Sequence, residues 1–572
     1  MVVVSLKRLI AVARGQEKGD IIFRGGRLVN VFSGEVVSAD LVICGNTIAA
    51  VGEGCWKAEN VIDLRGAYLL PGLIDAHIHV ESSMLTPVGF ASAVLPHGTT
   101  AVVSDPHEIV NVGGLKGLEF MFRSGSRVPL DFFFLIPSCV PATYMETAGA
   151  CLGEEETRRA FDMYPASPGL AEMMNFPGVL QADEVVLSKI AVALESGRLV
   201  DGHAPLLAGA DLNAYIAAGI SSDHECTSAE EALEKIRLGM KIIIREGSAA
   251  RDLYSLLPAV NESNFTEFMF GCDDRHPAHL LREGEIDDIL RKAVKGGLEP
   301  VTAVRMATIN TARHYRLRGR GAIAPGYRAD LVIVDNLQDF TVLEVYKDGE
   351  MVAKDGKLVR EYPQYHADNL EGSVRLPDLR GKFSLKPPSP EAVANIITVE
   401  AGKIVTGWEK APISSVGREN DILKVAVIER HSGKGGISVG LVKGFGLQRG
   451  ALASTVAHDS HNLIVVGADD DDMEAAAAAL SETGGGLVVI EGGEVRAALP
   501  LPVGGLMSYE DVSRVVEEHE RIENAALRLG CDLPSPFMAM SFLALAVIPS
   551  LKITDRGLVD VDRFTHLSLW AQ

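Results

Sequence analysis

The sequence has no surplus of positive charge: 54 Lys and Arg stand against 76 Asp and Glu, a formal net charge of −22 over 572 residues. Without a basic footprint for a phosphate backbone, nucleic acid is not an expected partner. Cysteine is scarce, seven in all with no CxxC pair. That excludes a thiolate zinc ribbon and a disulfide framework, and points to a reducing, cytoplasmic compartment. Uncharged apolar runs are short. In the one long stretch, 533–551, Pro534, Pro536 and Pro549 leave only Phe537 to Ile548 for an unbroken helix, too short to span a bilayer and read as a buried core helix. Lys7 and Arg8 interrupt what would have to be the apolar part of a secretory signal. Also missing are a Gly-rich phosphate loop and the HxE with PCxxC pattern of zinc-dependent nucleic-acid editing deaminases.

What is present is ordinary globular material, 47% hydrophobic with 57 Gly and 26 Pro, in a length that calls for about four domains. Short β-rich runs separated by turns occupy Asp20 to Gly52 and return between Ile323 and Val359, so one sandwich built from both flanks of a long middle segment is expected. Within that segment eight apolar runs end in polar residues: 72–80, 99–105, 132–139, 169–174, 198–204, 219–225, 241–247 and 267–274. Stretches of helical spacing such as 184–197 and 228–239 separate them. Eight alternating units predict a (β/α)₈ barrel, with a doubly wound open sheet as the alternative. A Pro-containing charged linker, 375–390, precedes a further set of strands and two helix patterns. The expected division is 1–70 and 321–375 for the sandwich, 71–320 for the barrel and 376–572 for a C-terminal α/β domain.

In LIDAHIHV (73–80) strand alternation puts Asp75, His77 and His79 on one face, two imidazoles that could hold a divalent ion with Asp75 as an orienting acceptor. Alone, an HxH is weak. Glu172, His203, His224 and Asp273, however, follow strands four, five, six and eight, and barrels gather catalytic residues at that end of the strands. Three His nitrogens with two or three carboxylates exceed what one tetrahedral zinc needs, so two ions are expected, with Mn, Fe(II) or Zn all suited to these donors. Cys272 reads as a small buried residue.

The stretches PGLIDAHIHVESS, SDPHEIVNV, GHAP, SSDHE, IREGSAARDL, CDDRHP, ATINTARHY, GYRADLVIVD and TVAHDSHNLIVVG together resemble the amidohydrolase superfamily and, within it, the adenine deaminase branch, over essentially the whole chain. The resemblance implies hydrolysis of adenine to hypoxanthine and ammonia, a purine-salvage reaction, by two metals. His77 and His79 would bind one with Asp273, His203 and His224 the other, and Glu172 would bridge. Many relatives use a carbamylated lysine as the bridge, and Lys189 is poorly placed for that role. The chain is expected to form a homo-oligomer.

From the chemistry, Asp273 is the expected proton acceptor and Glu108 the expected acid beside the attacked carbon, supported by His107. Ser82, Ser83, His107, Glu108, Arg245, Ser248 and Asp274 all follow barrel strands and would line the purine pocket, with an ion-pair role open for Arg245. His458 and Asp459, with His461, read as cap contacts to the barrel mouth, or by spacing as a third metal cluster. Another amidohydrolase acting on a different heterocycle or cyclic amide, or a metal-binding relative without activity, stays open at this level.

Overall fold

The computed structural model describes residues 2–403 and 405–571. All eight runs of the middle segment contain strands: β1 (Leu73–Ile78), β2 (Thr99–Ser104), β3 (Asp131–Phe134), β4 (Gly169–Met173), β5 (Leu199–Gly202), β6 (Ser222–Asp223), β7 (Lys241–Arg245) and β8 (Phe268–Gly271). Ladders β1–β2–β3, β4–β5 and β6–β7–β8 are parallel throughout. Further backbone bonds join them, among them Ile136 N–H to Gly169 O (3.0 Å), Ser221 N–H to Val200 O (2.9 Å), and, from β8 back to β1, Asp273 N–H to His77 O (2.8 Å).

Parallel strands covered on both faces read as near-continuous apolar runs, and here the two faces feed two cores. Ile74, Ala76, Ala101, Val103, Leu135, Ala171, Ile243 and Met269 form one, with Tyr315. Val102, Phe134, Leu170, Val200, Ile242, Ile244 and Phe268 pack in the other with helix residues such as Ile190 and Ile289. The helices start on side-chain caps. Asp183 accepts from Val185 and Val186 N–H ahead of Glu184–Glu195, and Ser228 from Glu231 N–H ahead of Ala229–Arg237, satisfying donors a helix N-terminus leaves unpaired.

The flanks do combine. One seven-stranded sheet runs Lys357–Leu358, Glu350–Lys354, Val342–Lys347, Leu331–Val334, Tyr68–Pro71, Arg27–Asn30, Glu35–Ser38, with Leu331–Val334 antiparallel to Tyr68–Pro71. A four-stranded sheet from residues 19–63 faces it across Phe23, Leu41, Ile43, Leu69, Ile333 and Tyr346. Beyond 392, an eight-stranded sheet is antiparallel except where Val393–Thr398 meets Ile437–Lys443. Helix Asp470–Thr483, which holds the alanine run, lays Met473, Ala476, Ala477 and Leu480 on it. The expected core helix is shorter than read, Pro536–Leu543. Among the described residues no helix is long and apolar enough to cross a membrane.

Phe23 is fully buried and meets the Tyr346 ring edge-on at 5.0 Å, tying the N-terminal sheet to the strands that follow the middle segment. Phe23→Ala is expected to cost about 3–5 kcal/mol of sandwich stability in chemical denaturation; a loss below about 1 kcal/mol would show that this contact does not join the two flanks.

Candidate functional site

Six expected residues meet at one end of the parallel strands. The Nε2 atoms of His77 and His79 lie 3.2 Å apart, and the His77 ring stacks on His224 at 4.0 Å. Glu172, at the end of β4, stands between two sets of imidazoles. Its Oε1 is 3.1 Å from His79 Nε2, and its Oε2 is 2.8 Å from His203 Nδ1 and 3.2 Å from His224 Nε2. Asp273 Oδ1 is 3.4 and 3.1 Å from the Nε2 atoms of His77 and His79. Asp273 reaches that place with φ at +59°, a region costly for a residue with a Cβ, held there by backbone bonds to His77 and His79.

The donor set fits divalent cations. His79 Nδ1 pairs with the Asp105 carbonyl at 3.0 Å. Donation to that oxygen leaves the Nε2 lone pair aimed into the site. Buried imidazole and carboxylate donors this close, with no sulfur among them, suit Mn, Fe(II) or Zn. The triads His77, Glu172, His224 and His77, His79, Asp273 each bring their ligand atoms within 4.8 Å of one another, as do His79, Asp105, His107 and Glu172. In the protein alone, burial and the neighbouring His224 hold His77 below its ordinary pKa. Against the pull of burial, Glu172 pushes His224 up to about 9.

Asp75 is not the orienting acceptor expected. Its carboxyl takes the backbone N–H of His77 (2.9 Å) and of Cys272 (3.3 Å) and leaves the His77 ring alone. Pairing with β2 shifts register between Asp75 and Ile78, and strict alternation fails there. Lys189 donates to the Ser138 carbonyl.

Above the six residues lies a small pocket. His107, Glu108, Arg245, Asp274, His458 and Asp459 line it, with Met174, Phe542, Leu545 and Ile548 as apolar walls. The segment read as plain core therefore contributes to the pocket. Ser82 donates to Asp274 and borders an adjoining cavity with His458. Two expected pocket residues turn elsewhere: Ser83 Oγ donates to Val80 O (2.6 Å) in its own 3₁₀ turn, and Ser248 Oγ pairs with His279 Nδ1 (2.6 Å) on a neighbouring cavity. Arg245 is an ion-pair residue as well as a wall, bonded to Glu225, to Asp273 Oδ2 (3.1 Å) and to Asp252 Oδ2 (3.1 Å). Asp105 and Glu225 were not singled out from the sequence. They sit inside DPHE and SSDHE, where spacing alone gives them no distinction from solvated carboxylates.

Burial favours the neutral acid at Glu108, but His458 Nδ1 lies 2.9 Å from Oε1 and outweighs it, so Glu108 stays below the usual carboxylate range while His458 is pushed up to about 9. Asp459 Oδ1 lies 3.6 Å from His107 Nε2. Glu108, His458 and His461 converge, yet Ala457 N–H donates to His461 Nδ1 (3.1 Å). A neutral His461 then carries its hydrogen on Nε2 and has no lone pair there for a third metal.

Residues 68–359 match the amidohydrolase family, and residues 397–565 match the adenine deaminase C-terminal domain. The chain is 48% identical over 570 residues to the adenine deaminase of Desulfatibacillum aliphaticivorans, covering 98% of this chain and 99% of that one. It is 46% identical to the adenine deaminase of Methanothrix thermoacetophila, covering 99% and 100%, and 45% identical to that of Kosmotoga olearia, covering 98% of each.

Behind His203 and His224, Asp223 ties their two turns together. Its Oδ1 accepts from Ala204 N–H (2.8 Å) and its Oδ2 from Glu225 N–H (3.2 Å) and from Lys235 Nζ (2.9 Å), with both side chains wholly buried. Burial opposes the charge on each, and the pairing overrides it, lowering Asp223 and raising Lys235. Lys235→Met would leave a buried carboxylate uncompensated and is expected to destabilise by about 3–5 kcal/mol in urea denaturation; a change under about 1 kcal/mol would mean the pair does not support these turns.

Proposed function

We propose that this chain, which belongs to the amidohydrolase family and within it to the adenine deaminases, hydrolyses adenine to hypoxanthine and ammonia in a (β/α)₈ barrel spanning about 71–320. The sandwich of 1–70 with 321–375 and the α/β domain of 376–572 complete it. The observation that carries the reading is Glu172, one carboxylate whose two oxygens each face a different set of imidazoles. Near-complete coverage by relatives named adenine deaminase supplies the substrate.

His77, His79 and Asp273 would hold one divalent ion and His203 and His224 the other, with Glu172 between them. When bound, such ions supply Lewis acidity that brings the pKa of water towards ~7. The chain's own residues do the rest. Arg245 and the neighbouring imidazoles hold Asp273 ionised in spite of its burial, so Asp273 can take a proton from the attacking water and hand it to the departing amine. Glu108 delivers a proton to the ring nitrogen next to the attacked carbon, where electron density collects. Met174, Phe542, Leu545 and Ile548 offer apolar surface to a flat heterocycle and exclude bulk water.

The test is ammonia release by chelator-stripped protein titrated with Mn²⁺ while bound metal is counted. Turnover of adenine is expected to saturate at about two ions per chain, with cytosine, adenosine and a cyclic amide left intact; two bound ions with turnover of a control and not of adenine would overturn the substrate. Glu108→Gln is expected to keep both ions and lose about 10²–10⁴ in kcat, and near-parental turnover would remove its role. Lys189→Met is expected to keep both ions, whereas loss of one would make the lysine part of the centre.

A further inference from the structure

The loop 457–462 belongs to the C-terminal sheet in sequence and to the pocket in space. It is pinned from both sides. Ser460 Oγ donates to Glu146 Oε2 (2.6 Å) and Asn462 Nδ2 to Thr147 O (2.8 Å), both in the segment between β3 and β4. On the C-terminal side, Arg430, itself wholly buried, donates to the His461 carbonyl, and His461 turns at φ +51°. The residue this loop delivers is His458. Its ring lies against Phe542 (centroids 5.0 Å apart, planes at 27°), and its Nδ1 meets Glu108 at 2.9 Å. Ser82 Oγ at 3.4 Å and His461 Nε2 at 3.9 Å stand farther from Glu108.

We propose that His458, carried into the pocket by the C-terminal domain, is the positioning residue that holds Glu108 in place and returns a proton to it after each turnover. The proposal rests on the deaminase reading above and goes beyond it, because it makes the C-terminal domain part of the catalytic machinery. The proton count closes. Water oxygen bonds to the amine-bearing carbon as Glu108 gives its proton to the adjacent ring nitrogen. The carbon–nitrogen bond to the amine then breaks, its electron pair leaving with nitrogen, which departs as ammonia with a proton taken from the water. The second water proton is released as the carbonyl forms and offsets the one spent by Glu108, which His458 replaces.

The surroundings of His458 suit that task. Glu108, Asp274 and Asp459 face it with negative charge and His461 and His276 with potential positive charge. Burial disfavours its charged form and Glu108 restores it. His461 does not substitute: Nδ1 is committed to Ala457 N–H and burial holds it neutral.

The experiment compares His458→Ala and His458→Asn with the parent, all full-length and Mn²⁺-loaded, by steady-state kinetics, metal content and hypoxanthine binding by calorimetry. His458→Ala is expected to lose about 100-fold or more in kcat, with KM and hypoxanthine affinity within about threefold of the parent and metal content unchanged. Added imidazole should enter the space beside Phe542 and restore part of that kcat. His458→Asn can place an amide N–H where Nδ1 stood but carries no proton to return, so an intermediate kcat with no response to imidazole is expected. Parental kcat in His458→Ala would overturn the proposal. So would equal losses in both variants that imidazole leaves unchanged and that follow lost metal. Adenine turnover by the parent tests the deaminase reading separately, since the His458 assignment is judged only on ratios to the parent.

Discussion

A buried carboxylate survives only where something compensates its charge, and Glu172 is compensated on both oxygens by imidazoles from four different places in the chain. The rest of the centre is arranged about that constraint. His77 and His79 come from the end of β1, His203 and His224 from the turns after β5 and β6, and His107 from the start of the helix after β2. Asp273 closes the set in a left-handed backbone conformation, bonded through its backbone to His77 and His79.

Rigidity reaches this centre through charges buried behind it. Asp223 with Lys235 fixes the two histidine-bearing turns, and Arg245 spans Glu225, Asp273 and Asp252. Such pairs contribute less to net stability than their number suggests, but each fixes an orientation, and placement within a fraction of an ångström is what a ligand set requires. The seven-stranded sheet serves the same end more remotely. Because Leu331–Val334 pairs with Tyr68–Pro71, the chain entering β1 and the chain leaving the last helix of the middle segment are held together.

The six central residues were legible because each sits where an apolar run ends, and parallel strands bring such ends to one rim. What was not legible follows equally from physics. Asp75 was misread because alternation assumes an unbroken register, and the register shifts between Asp75 and Ile78. Ser83 and Ser248 follow strands as expected, but a short hydroxyl side chain readily bonds to nearby backbone or to whatever partner lies closest, and both do. Glu108 and His458 meet across 350 positions of sequence, a contact no local pattern encodes. The apolar wall of Phe542, Leu545 and Ile548 looked like core for the same reason: burial in a pocket and burial in a core select the same side chains.

Anomalous scattering at the manganese edge, from crystals of Mn²⁺-loaded protein, reads the Glu172 bridge most directly. Two peaks are expected, one near Oε1 with His77, His79 and Asp273, the other near Oε2 with His203 and His224. A single peak, or two peaks of which one or both lie beyond bonding distance of Glu172, would contradict the bridging role on which the proposed chemistry depends.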